Sequence, residues 1–204
     1  MPDDIRNVAA GLTYRDFVTV GLLVKKLDLV NKTDKKTLSD IVPDCWIYVQ
    51  DKGYKLGRIQ IFNNWSPYMV EKPEDAVWIG LEYFCAEGDE FWNMTDEECI
   101  AFAKDELVRM EVKKSDAVLD AHRERVKKAS TAYFDTYSDF DKLVTYLDGY
   151  DNLFCVGRNG QHRYNNMDHS MLTAINTAKA IKDNVTDKTN IWNVNTEKEY
   201  YESK

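Results

Sequence analysis

From Asp16 to Val24 the chain is β-branched and apolar on both alternating faces, which predicts a strand buried inside a sheet. Lys25 to Asp40 has no period and fills with lysine, as a loop or surface excursion does. Apolar runs return at Cys45 to Gln50, Lys55 to Phe62 and Val77 to Phe84, and Asp51-Lys52-Gly53-Tyr54 between the first two suits a tight hairpin. An antiparallel meander is the expected result. The period then becomes helical. Thr95-Asp96-Glu97-Glu98 is a capping box, and Cys99, Ala103, Leu107 and Met110 follow at helical spacing, predicting a helix to about Val112 that covers one face of the sheet. Val118 to Val126 is mixed and charged and reads as an edge strand. Ser138 is placed to cap a second helix, with Phe140, Leu143, Val144 and Leu147 as its stripe and Gly149 as its stop. Asn152 to Val156 is a short apolar strand, and Met167, Met171, Ala174, Ala178 and Ile181 predict a last helix, from near Asn166, with one continuous buried face. The tail Asn190 to Lys204, with Trp192 and a run of Glu, Lys and Tyr, reads as a short final element or a frayed end. The fold class is α+β: an antiparallel sheet covered by helices, then a strand-helix segment.

Composition narrows the classes. The 204 residues suffice for one good core, or one domain plus part of another, and the change from strands to helices near Lys127 to Tyr133 is the best boundary. A net charge of -8 argues against a general nucleic-acid binder and against anionic membrane surfaces. No apolar run approaches the roughly 20 residues of a membrane span, and the first residues lack a signal-peptide pattern, so a cytoplasmic location is expected. Cys45, Cys85, Cys99 and Cys155 lie too far apart for a Cys-x-x-Cys motif and read as structural thiols. His122, His162 and His169 show no metal-ligand spacing, and no metal site is expected. No Ser-His-Asp or Cys-His arrangement is supported either, so no catalytic acid, base or nucleophile is assigned.

Two places can hold a ligand. Along Lys55 to Phe62, Leu56, Arg58, Gln60 and Phe62 share a face, with Asn63-Asn64-Trp65 at the end; Trp78, Gly80, Glu82 and Phe84 share one on the next strand. Glu82 is placed to pair with Arg58 across strands or to meet substrate hydroxyls, although the same alternation fits a solvated sheet face. The second place is Gly157-Arg158-Asn159-Gly160, followed by Gln161-His162-Arg163-Tyr164-Asn165-Asn166-Met167-Asp168 at a helix start. Glycines let a phosphate or ring approach the backbone, and the free amides of a helix start favour an anionic group. Alone, a strand-Gly-x-x-Gly-helix pattern also fits an ordinary turn.

The full string is more specific. It resembles the C-terminal flavin-capping segment of the flavin-containing amine oxidase and UDP-galactopyranose mutase-like superfamily, where Gly-Arg, a tyrosine and an Asn/Asp-Met-Asp helix start recur together. The resemblance implies FAD as cofactor. It sets Gly157 and Arg158 along the pyrophosphate and ribityl chain, Tyr164 and Asn165 between flavin and substrate, and Asn166, Met167 and Asp168 at the pyrimidine edge of the ring. In mutase-like proteins the sheet roofs the flavin, which makes Arg58, Asn64 and Trp65 the substrate-side candidates. The Gly-x-Gly-x-x-Gly turn that holds the adenine half has no match among the nine glycines. The chain is therefore expected to be the C-terminal part of a longer flavoprotein, holding FAD weakly or not at all by itself. Residues 1–128 would be a portion of the substrate-binding domain and 129–204 a portion of the FAD-binding domain. The implied activity is that of an FAD-dependent oxidoreductase or mutase on a sugar nucleotide or related polar substrate. A non-enzymatic α+β module that binds a ligand or partner is the alternative, and a homodimer is left open.

Overall fold

In the computed structural model, which describes residues 1–112 and 118–195, helix α1 (Asp3–Ala10) precedes the long strand β1 (Tyr14–Val24). Strands β2 (Trp46–Tyr48) and β3 (Arg58–Ile61) follow, then one helical turn, α2 (Phe62–Trp65), and β4 (Val77–Cys85). After α3 (Glu90–Asn93) and α4 (Asp96–Arg109) comes β5 (Val118–Thr131). The remainder is helical: α5 (Phe140–Asp148), α6 (Gly157–Gly160), α7 (Met167–Lys182) and α8 (Thr189–Trp192). The chain divides into two compact units, Asp16–Lys127 and Met1–Arg15 with Lys128–Lys204.

The first unit is the expected antiparallel sheet, in the order β2-β3-β4-β1-β5. β1 lies inside it, as its two apolar faces foretold, with Val18, Val20, Leu22 and Val24 fully buried on one side. Ile59, Ile61, Ile79, Leu81 and Tyr83 share that core with Cys99, Ala103 and Leu107 of α4. Burying one such leucine contributes about 1.5–3 kcal/mol, so the 3.6-residue stripe of α4 is what fixes the helix against the strands. The capping box is present: Glu98 N–H donates to Thr95 Oγ1 at 3.2 Å, and Thr95 N–H to Glu98 Oε2 at 2.8 Å. The helix ends at Arg109, short of Val112, because Glu111 adopts a φ of 57° and Val112 N–H closes back on the Leu107 carbonyl. β3 is shorter than expected as well. Asn63 donates to the Ala76 carbonyl and accepts from Trp78 N–H, pulling residues 62–65 into a turn.

In the second unit Ile5 and Val8 of α1 pack with Phe140, Leu143 and Trp192. Ser138 does not cap α5; it sits in a 3-10 turn over Asp135–Asp139 and donates to the Asp135 carbonyl. Lys188, 4% exposed, caps the other end of α5 by donating to the Leu147, Asp148 and Tyr150 carbonyls, where the helix dipole favours a cation. Asn152 to Val156 is not a strand: it joins no ladder among the described residues, and Gly157–Gly160 is a turn of helix. The largest difference lies in α7. Its expected buried stripe faces solvent, with Met167 83%, Met171 60% and Ile181 59% exposed, while Thr173 and Ala180 are buried instead. The tail enters the fold through α8 and Trp192; its run of Glu, Lys and Tyr lies outside the described residues.

Candidate functional site

The glycine-rich string converges on the start of α7. Gly157 has a φ of +70°, a conformation that disfavours any side chain, and its N–H donates to Thr173 Oγ1 at 3.0 Å. Arg158 stacks on the Tyr164 ring, 4.3 Å from its centroid, and donates through Nη2 to Ser130 Oγ at 2.8 Å. Its Nε is buried without a hydrogen-bond partner among the described residues. The backbone around Tyr164 is held on both sides, by Tyr133 Oη accepting from its N–H and by Asn195 donating to its carbonyl. Asn165 is 3% exposed; its amide nitrogen donates to Gln161, and its Oδ1 is also without a partner among the described residues. At the helix start Asn166 N–H donates to His169 Nδ1 at 3.3 Å, one half of a capping box. The first-turn amides of Met167 and Asp168 have no intrahelical acceptor, as the geometry of any α-helix requires. Asp168 itself is exposed, 3.8 Å from His169.

On the sheet, the register sets Tyr48 opposite Arg58, Arg58 opposite Glu82, and Glu82 opposite Thr19, so these side chains share one face. Arg58 Nε and Nη2 both donate to Glu82 Oε2, at 2.8 and 2.5 Å, and Gln60 donates to Oε1. The guanidinium lies 5.1 Å from the Trp46 ring and 5.7 Å from that of Tyr48. Trp65 meets Trp46 edge-on at 4.9 Å. Asn64 is occupied otherwise, its amide donating to the Val42 and Asp44 carbonyls and strapping that loop down. Trp46 and Tyr48 were not among the sequence candidates, although their i, i+2 spacing in an apolar run already put them on one face.

Among the described residues no group of three or more His, Cys, Asp or Glu side chains is placed to hold a metal ion, and no helix is long and apolar enough to cross a membrane. No family model and no curated protein matches the chain. Solved structures do. A reduced UDP-galactopyranose mutase matches 95% of this chain with a TM-score of 0.72 at 19% identity, and a putative protoporphyrinogen oxidase from Exiguobacterium sp. 255-15 matches 87% with 0.56 at 12%. The chain spans only 38% and 36% of their lengths. At such identities the likeness is one of fold alone, a mixed α+β architecture with one antiparallel sheet.

Proposed function

We propose that this chain is a region of an FAD-dependent oxidoreductase or mutase acting on a sugar nucleotide or related polar substrate, with residues 129–204 serving the cofactor and 1–128 the substrate. The observation that carries the reading is the coincidence of the mutase-like fold over 95% of the chain with the Gly157-to-Asp168 string at the start of α7. The residues fit a flavin. Arg158 Nε is a buried donor and Asn165 Oδ1 a buried acceptor, both still to be satisfied, and such atoms are costly unless a ligand or water meets them. The Met167 and Asp168 amides, at the positive end of a 16-residue helix, favour the negative charge of a reduced ring or a phosphate. A bound flavin supplies hydride exchange in an oxidoreductase, or chemistry without net redox change in a mutase. This chain's share is to position, through Gly157, Arg158, Tyr164, Asn165 and Asn166, and to present Arg58, Asn64 and Trp65 toward substrate. Asn64 would act through the loop it straps. Four unpaired cysteines agree with a cytoplasmic location.

The purified chain is expected to carry FAD well below one per chain and to bind added FAD weakly, as read by quenching of flavin fluorescence. Arg158→Ala should weaken that binding by roughly ten- to a hundredfold, the equivalent of about 1.5–3 kcal/mol for a lost charge-assisted hydrogen bond, and Asp168→Ala, which keeps the helix-start amide, by less. His122→Ala, whose side chain is exposed on β5, should not. Equal losses from all three would reduce the string to a stability element.

A further inference from the structure

The five residues whose spacing predicts a single buried face of α7, Met167, Met171, Ala174, Ala178 and Ile181, are all exposed. They alternate between steps of four and three, the a and d positions of a heptad repeat, and exposed Val185 continues the spacing just past the helix. Single exposed apolar side chains are ordinary on a protein surface, but a run of consecutive a and d positions is not scatter. The helix is held in its own unit by its other side, where Thr173 and Ala180 are buried and Gly157 N–H donates to Thr173 Oγ1. α7 thus turns small and hydroxyl-bearing residues inward and its apolar seam outward, the reverse of a helix whose burial is complete.

The flanks of the seam say what fits it. The e positions, which follow the d residues, are Asp168, Ile175 and Lys182, all exposed. When two copies of one helix pack antiparallel, e positions face e positions across the seam. A twofold axis near Ile175 then sets Asp168 opposite Lys182 of the second copy at both ends, and Ile175 opposite its own copy in the middle. The core layers match in size as well. Met171 meets Ile181 of the second copy and Ala174 meets Ala178, so small residues lie where the backbones come closest and large ones lie outside. The g positions within the helix, Ser170 and Thr177, carry no charge and set up no repulsion. In a parallel pair Lys182 would face Thr177 and Asp168 would have no helical partner, so neither ion pair would form.

We propose that this chain associates as a twofold dimer through an antiparallel pairing of α7 with α7, in which Lys182 of the second copy pairs with Asp168 at the end of the glycine-rich string. The inference rests on α7 alone and not on the flavin reading. Two heptads bury less than a standard interface, so the dimer should be weak, with a Kd on the order of tens of micromolar, and dissociated at the roughly 1 µM at which unfolding is followed.

The test is sedimentation velocity of the full chain, without FAD, from about 1 to about 200 µM. The weight-average coefficient should rise from that of a monomer toward that of a dimer. Met171→Asp, which puts a charge into the seam, should weaken association roughly tenfold or more, with unchanged far-ultraviolet circular dichroism because the side chain is exposed in the single chain. Asp168→Lys and Lys182→Asp should each do the same by setting like charges opposite one another. Mixed one to one, these two variants should associate again, since each charged e position then faces its opposite; an effect confined to the single chain cannot produce this. If Asp168→Lys disturbs the helix start, Met171→Asp and Lys182→Asp decide. A monomer throughout the range would overturn the proposal and leave the seam to a different polypeptide. A dimer that Met171→Asp leaves intact would place the contact on another surface, and a mixture no tighter than its two parts would overturn the antiparallel register.

Discussion

At the scale of single residues, several buried charges act as fasteners. Glu106 is 1% exposed, and its carboxylate accepts from the Lys55 and Leu56 amides, tying α4 to the segment that leads into β3, some fifty residues away in sequence. Sequence alone made it one acid among many in a charged helix. Removing it leaves the buried Leu56 amide and the part-buried Lys55 amide unpaired, so Glu106→Ala should cost about 1.5–3 kcal/mol in urea unfolding; a loss within the range of a surface substitution would mean that water replaces the carboxylate. Arg123, fully buried on β5, donates to the Phe91, Trp92 and Met94 carbonyls at the end of α3, which explains a charged side chain inside the core. His162 sits in a box of Tyr14, Tyr137 and Phe140, with its ring Nε2 3.2 Å from the Ala132 carbonyl. Burial holds its pKa below the ordinary value, and the Ala132 carbonyl only partly offsets this. The folded chain therefore takes up this proton less readily than the unfolded one. The stabilising contribution is complete above the unfolded value of about 6.5 and is lost as pH falls through it toward the folded value. The denaturation midpoint should accordingly drop as pH falls below about 6.5, and His162→Asn, which tolerates the positive φ found there, should flatten that drop.

At the scale of elements, sequence periodicity located the strands and helices better than it located their surroundings. The capping box of α4, the buried β1 and the helix start at Asn166 were all legible, because each depends on local spacing. Asn152 to Val156 was not, since a short apolar run has no signal that tells an extended connector from a strand. α7 shows the limit most clearly. Period 3.6 revealed its apolar stripe, yet periodicity says that a stripe exists and not that anything covers it. Within this chain the helix packs through Thr173 and Ala180, and the methionines and Ile181 stay outside. Ile181→Ser should therefore change stability by no more than about 0.5 kcal/mol. Ala180→Leu, on the buried side, should cost about 1–3 kcal/mol by overpacking. Equal, large effects in urea unfolding would show that the stripe is covered after all.

At the scale of the molecule, the organisation that was hardest to read is the return of the N-terminus. Residues 1–15 group with 128–204 across more than a hundred intervening residues, and both crossings fall within continuous strands, β1 and β5, where no linker composition marks them. The membership of α1 was not legible, because nothing local distinguishes Ile5 and Val8 from the apolar residues of any short amphipathic helix. Yet those two side chains, 8% and 6% exposed, complete the cluster around Phe140, Leu143 and Trp192, and Thr136 fastens the same corner by donating to the Val8 carbonyl. A unit assembled from two distant pieces should lose stability as a whole when the smaller piece is weakened. Ile5→Ala with Val8→Ala removes buried methyl groups at about 2–5 kcal/mol for the isoleucine alone. Hydrogen exchange should then accelerate in α5 and α8, far along the chain from the substitutions, while the amides of α4, whose core is separate, keep their protection. Faster exchange in α4 to the same degree would mean that the two units unfold as one, and that the helices which present the Gly157-to-Asp168 string draw their stability from the sheet as well.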